Sequence, residues 1–112
     1  MTAYEILCRM DKLLAKKENW CTHAYARSKT GKKVKVESRA AVAWCLDGAL
    51  DRVVTSASDD YARLNAARAL QDIAHTELGL ESINDDMWYG FRDIKALIRD
   101  AKKLVKKTEA AA

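Results

Sequence analysis

Residues 40–50, Ala-Ala-Val-Ala-Trp-Cys-Leu-Asp-Gly-Ala-Leu, carry one charge, Asp47, in a chain where 32% of residues are charged. A run this apolar has to be buried on nearly every side, so the rest of the chain must wrap around it. The spacing predicts a helix from about Arg39 to Ser56, capped by Ser38, with Val42, Cys45, Leu46, Ala49, Leu50 and Val53 on its broad inner face. Ala41, Trp44 and Val54 extend that face almost all the way round, which makes this the expected central helix. Gly48 inside it costs roughly 1 kcal/mol relative to alanine, which predicts the close approach of another backbone.

The Trp-Cys dipeptide in this run, Trp44-Cys45, occurs once more at Trp20-Cys21, although the chain has only three tryptophans and three cysteines. An odd cysteine count without framework spacing suits free thiols in a reducing cytoplasm. The chain's 112 residues suit one domain, 1–112, with an ordered core over about 2–107 and a fraying tail at 108–112. No apolar run is long enough for a transmembrane helix, and the first residues have no signal-peptide pattern. The net charge of +4 gathers in two places, Arg27 to Lys35 and Lys102 to Lys107.

The remaining elements follow from their spacing. Residues 2–17 read as a first helix, with Thr2 and Glu5 as a capping box and Ile6, Leu7, Met10, Leu13 and Leu14 on one face. Residues 20–36 predict a β-hairpin turning around Gly31, its second arm alternating Val34 and Val36 with lysines. A third helix is expected over about 59–78, opened by Ser58-Asp59-Asp60 and stopped by Gly79. Residues 80–90 read as an irregular segment pinned to the core. A last helix over about 91–107 buries Phe91, Ile94, Leu97, Ile98, Ala101 and Val105. The expected fold is mostly α, α+β by strict accounting: a four-helix domain with one small β-hairpin between helix 1 and helix 2.

Residue types for several chemistries are present, but their patterns are weak. Cys21 or Cys45 with His23 or His75 and Asn84 or Asp85 contains what a thiol hydrolase needs, yet no nucleophile signature surrounds either cysteine. Cys21-x-His23 supplies two metal ligands without a second pair, short of a structural zinc site. No catalytic residue, metal or cofactor is therefore expected. The basic hairpin, with Arg27, Lys29, Lys32, Lys33 and Lys35 beside Trp20 and Tyr25, could neutralise phosphates and stack bases. Lysines along an exposed strand equally protect a sheet edge from pairing. Trp20, Tyr25, Trp44, Trp88 and Tyr89 are many large aromatics for such a chain, and their polar tips concentrate at interfaces and pocket walls. Arg39 and Arg52, with Asn84 and Asp85, would supply the polar groups of such a surface.

An N-terminal helix, Trp20-Cys21, a basic strand around Gly31, the run Ala41-Val42-Ala43-Trp44-Cys45-Leu46-x-Gly48-Ala49-Leu50, then Ile83-Asn84-Asp85 and an amphipathic helix ending near Ala101 follow in a distinctive order. Over roughly residues 3–102 this order resembles a family of small bacterial and bacteriophage proteins classified only as a domain of unknown function. The chain departs from that pattern at Asp86-Met87-Trp88-Tyr89. The resemblance implies an intact single-domain fold and a phage or mobile-element origin, and supplies no activity.

The function expected from the sequence is a non-catalytic binding module, cytoplasmic, with no membrane contact and room for a homodimer. Its surface would be an aromatic and basic rim of Trp20, His23, Tyr25, Arg27, Arg39, Arg52, Asn84, Asp85, Trp88 and Tyr89, engaging a protein partner or a small anionic ligand. The alternative is nucleic-acid binding through Arg27, Lys29, Lys32, Lys33 and Lys35.

Overall fold

A computed structural model describes residues 1–111. Helix α1 spans Ala3–Leu13, β1 Ala26–Ser28, β2 Ala41–Trp44, α2 Leu46–Val53, α3 Asp60–Ile73, α4 Leu80–Asn84 and α5 Phe91–Ala111, with short 3-10 turns at Lys17–Asn19 and Ala57–Asp59. The fold is the expected one, mostly helical with a two-stranded antiparallel pair between the first and second helices.

The capping box forms as predicted. Glu5 N–H donates to Thr2 Oγ1 at 3.1 Å and Thr2 N–H donates to Glu5 Oε1 at 3.3 Å. Helix α1 stops at Leu13 rather than near residue 17, because Asn19 Oδ1 accepts from Lys16 N–H and turns the chain into the 3-10 segment. Ile6, Leu7, Met10 and Leu14 are completely buried, and α1 packs against α2, α3 and α5. The hub of the core is therefore α1. The expected central helix, α2, has only eight residues and packs against α1, α4 and β2.

The apolar run divides where a continuous helix was expected. Ala41–Trp44 is a strand and the helix starts at Leu46. Periodicity cannot separate a fully buried strand from a buried helix, so the decision falls to backbone partners. Those partners come from β1, with Ala26 opposite Trp44, Arg27 opposite Ala43 and Ser28 opposite Ala41, and from Trp20, which bridges Trp44 in parallel. The turn around Gly31 forms, with Gly31 at φ +88° and Ser28 N–H donating to Lys32 O at 2.8 Å. Val34 N–H donates to Ala26 O at 3.1 Å. Strand β1 thus carries the predicted hairpin arm on one edge and β2 on the other. Ser38 closes the turn before β2, its Oγ accepting from Ala40 N–H, and the α2 cap is Cys45, whose Sγ accepts from Gly48 N–H at 3.2 Å.

Helix α3 ends at Ile73, several residues before the expected stop, and His75 takes the left-handed conformation at φ 56°. Gly79 instead precedes α4, a short helix inside the segment expected to be irregular. Helix α5 buries Ile94, Leu97, Ile98, Ala101 and Val105 as predicted and continues to Ala111; Ala112, the last residue of the expected tail, lies outside the described residues. Asp11 holds α5 to α1 through ion pairs with Lys95 and Lys102, and Lys106 lies 5.3 Å from the centre of the Tyr4 ring. Among the described residues no helix is long and apolar enough to cross a membrane.

Candidate functional site

Asn84 organises the region around both Trp-Cys dipeptides. Among the described residues it is the one buried polar side chain, at 0% exposure. Its Oδ1 accepts from Trp20 Nε1–H at 2.6 Å and from Leu46 N–H at 2.9 Å. Its Nδ2 donates to Cys21 O at 3.0 Å and to Asp85 Oδ1 at 2.9 Å. All four hydrogen-bonding positions of the amide are used, which is what makes its burial tolerable. Three segments distant in sequence are tied by this one side chain: residues 20–21, the start of α2, and the end of α4.

The other Trp-Cys pair is anchored separately. Trp44 Nε1–H donates to Val36 O at 3.0 Å, Arg52 donates to the same carbonyl at 2.9 Å, and the Arg52 guanidinium lies 5.4 Å from the Trp44 ring centre. Arg27 is likewise committed to backbone, donating to Gly31 O and Thr22 O. These contacts place Trp20, Arg27, Arg52 and Asn84 in the framework that shapes the surface. Arg39 is exposed in the turn before β2.

His23, Tyr25 and Asp85 meet at a cleft of about 420 Å³ between the hairpin and α4, together with Lys33, Glu81 and the buried Cys45. Asp85 shapes its rim by accepting from His23 N–H at 3.0 Å, with His23 Nδ1 3.6 Å from its second oxygen. That contact holds His23 at φ 60°, a left-handed conformation rare for a residue with a side chain. The Tyr25 ring is 52% exposed and its backbone lies directly on Gly48, where an added Cβ would stand 2.0 Å from Tyr25 O. The close approach read from Gly48 is therefore the contact that fixes Tyr25.

The expected rim is not continuous. Trp88, 82% exposed, and Tyr89 border a separate depression with Ile73 and α5, while Asp85 faces the hairpin. The hairpin lysines Lys29, Lys32, Lys33 and Lys35 are exposed, and Lys33 reaches the cleft. Glu81, Asp47 and Cys45 were missing from the expected surface. Glu81, in the first turn of α4, and Asp85, its C-cap, stand four apart and both reach the cleft, a signal hidden in a segment expected to be irregular.

The cleft is lined by two carboxylates, Glu81 and Asp85, and one lysine, Lys33, and Asp47 is hydrogen-bonded to Glu81. Burial pushes the Asp47 carboxyl above the ordinary range, and the Glu81 charge and a hydrogen bond to Glu81 push it further. Glu81 and then Asp47 raise the Tyr25 phenol. Among the described residues neither Asp47 nor Glu81 has an ion-pair partner within 4.0 Å, since the nearby Arg63 is paired with Asp51. Burial pushes the Cys45 thiol up to about 11 despite the N–H of Gly48, so it stays protonated at neutral pH.

A raised folded-state carboxyl pKa means that the folded protein disfavours the charged form. This unfavourable contribution is absent below the ordinary carboxyl range near pH 4, grows as pH rises above that range, and levels off once pH passes the raised value. Asp47→Asn should accordingly raise the urea midpoint at pH 7, with the gain shrinking as pH falls toward 4. A gain that is the same at both pH values would show that Asp47 carries no such penalty.

Comparison with known proteins adds one assignment. A search of curated proteins and of solved structures found no match. The family described as "Family of unknown function (DUF6197)" matches residues 1–104, nearly the whole described chain, and the protein belongs to that family.

Proposed function

We propose that the protein is a non-catalytic binding module that takes a cationic side chain of a protein partner into the cleft between the hairpin and α4. The observation that carries this reading is the pair of carboxylates lining the cleft, Glu81 and Asp85, against the single lysine Lys33, beside the exposed Tyr25, with Asp47 hydrogen-bonded to Glu81 and neither of those two ion-paired among the described residues. At an effective dielectric near 20, unit charges about 4 Å apart interact by roughly 4 kcal/mol, so the sign of the guest decides whether it enters. A lysine or arginine tip relieves carboxylate repulsion and can lie on the tyrosine face. A small anion, the other guest suggested by the sequence, meets repulsion there instead. The phage or mobile-element origin implied by the sequence resemblance fits an accessory protein that works by contact.

The test is NMR titration of the protein with an arginine-containing tripeptide, blocked at both ends, against its glutamate counterpart. The arginine peptide should shift the amides of His23, Tyr25 and Val34, and Glu81→Lys should weaken that binding by about tenfold or more, equivalent to roughly 1.4 kcal/mol. Equal shifts with the glutamate peptide, or with the Glu81→Lys protein, would refute the reading.

A second reading rests on the exposure of Lys29, Lys32, Lys33 and Lys35 along the hairpin, a surface suited to nucleic-acid phosphates. Arg27 gives two of its five N–H donors to backbone carbonyls, so the four lysines supply most of the free charge of that surface. Binding to single-stranded oligonucleotides at low salt, lost when the four lysines are replaced by glutamine, would support it; absence of a gel shift at low salt would end it.

A further inference from the structure

The two Trp-Cys dipeptides, more than twenty positions apart in sequence, lie side by side in the fold. Trp20 and Trp44 are parallel bridge partners, and Cys21 N–H donates to Trp44 O at 3.1 Å. Each cysteine follows its tryptophan in extended backbone, Trp20 at φ −114°, ψ 137° and Cys45 at φ −78°, ψ 176°. Side chains alternate along extended chain, so the cysteines share the face opposite the tryptophans. Paired strands stand about 4.8 Å apart, and the Cys21 N–H bond to the carbonyl preceding Cys45 keeps the two cysteines near that spacing although Asn84 parts the chains just beyond them; a disulfide bridges Cα atoms roughly 4.4–6.8 Å apart. Both thiols are free and buried, and Cys45 borders the cleft. The third thiol, Cys8, belongs to α1.

We propose that Cys21 and Cys45 form an oxidisable dithiol that closes to an intramolecular disulfide on exposure to a hydroperoxide. Cys45, reached through the cleft, attacks the peroxide as its thiolate. An S–O bond forms, the O–O bond breaks, sulfur is oxidised to the sulfenic acid, and the peroxide leaves as water or an alcohol after taking up a proton. Cys21 then attacks the Cys45 sulfur. The S–S bond forms, the S–O bond breaks, and water departs with the Cys21 proton. In the reduced protein Cys45 Sγ accepts from Gly48 N–H and Cys21 Sγ donates to Ala24 O at 3.5 Å. Closure exchanges both bonds for the covalent link, which frees the first turn of α2 beside the cleft. The high thiol pKa of Cys45 makes the first step slow at neutral pH, so its rate should rise about tenfold per pH unit below pH 11. The inference does not depend on what the cleft binds.

The experiment is hydrogen peroxide treatment of the folded full chain, followed by intact mass and non-reducing peptide mapping. The expected product is a monomer lighter by about 2 Da, for the two hydrogens lost, with tryptic peptides 18–27 and 40–52 joined and separated again by dithiothreitol. Cys8→Ser should leave this unchanged. Cys21→Ser should abolish the link and leave a Cys45 sulfenic acid that dimedone traps. Cys45→Ser, which keeps a side-chain acceptor for Gly48 N–H, should leave Cys21 unmodified. Oxidation that only joins two chains through Cys8, that takes Cys45 to the sulfinic acid without a link, or that forms the 21–45 link only in urea would overturn the proposal.

Discussion

Replacing Asn84 by leucine should lower the unfolding free energy by about 4 kcal/mol, the largest single-site effect we expect. The volume is nearly conserved, so the loss comes from hydrogen bonds. Leu46 N–H and Cys21 O lose their partner, and so does Trp20 Nε1–H. A buried group left unsatisfied costs about 1–3 kcal/mol, and small domains hold only about 5–15 kcal/mol in total. Urea denaturation monitored by circular dichroism measures the change. Asn84→Asp separates the geometry from the charge. It keeps an acceptor for Trp20 and Leu46 but places a carboxylate at 0% exposure next to Asp85. The folded state then favours the protonated acid, which can still donate, so its deficit should be largest at pH 7 and recover as pH falls toward about 4. A loss below about 1 kcal/mol for Asn84→Leu would mean that the three segments are held by apolar packing alone.

Gly48→Ala should cost about 2–3 kcal/mol, reversing the gain of up to about 1 kcal/mol that this change brings inside an ordinary helix. The new Cβ would stand 2.0 Å from Tyr25 O and 2.8 Å from Tyr25 C, both backbone atoms. Tyr25 O cannot withdraw freely, because it accepts from Cys45 N–H at 3.2 Å at the entrance to α2. Relief requires moving α2 away from β1, which also shifts Tyr25 and opens the Cys45 amide to exchange with solvent. Thermal unfolding and hydrogen exchange at Cys45 should both report it. Gly90→Ala is the control, since the nearest atom to its Cβ is Asp93 Oδ2 at 3.7 Å, and it should change stability by no more than about 0.5 kcal/mol. A neutral or stabilising Gly48→Ala would show that the backbones are not in contact in solution.

These two residues also mark how far the sequence could be read. Gly48 was informative because a glycine inside a helical pattern has a local cost that calls for a tertiary reason. Asn84 was legible as part of a turn-forming segment and as a polar member of a surface. Its burial was not legible, because that depends on Trp20, Cys21 and Leu46 arriving from elsewhere. The cleft shows the same division. Tyr25, His23 and Asp85 were named for their residue types, whereas Glu81 and Asp47 acquire meaning only when α4 sits beside α2.

Local physical chemistry determined the capping box of α1, the apolar stripes of α1 and α5, the turn at Gly31 and the predominantly helical class, because each depends on residues within a few positions of one another. Tertiary structure alone decided that the most apolar run divides into strand and helix. Residues 41–44 suit either conformation equally well, and the backbone groups of β1 and Trp20 selected the strand. That selection puts the two Trp-Cys dipeptides side by side, makes Cys45 the cap of α2, and builds the cleft between the hairpin and α4.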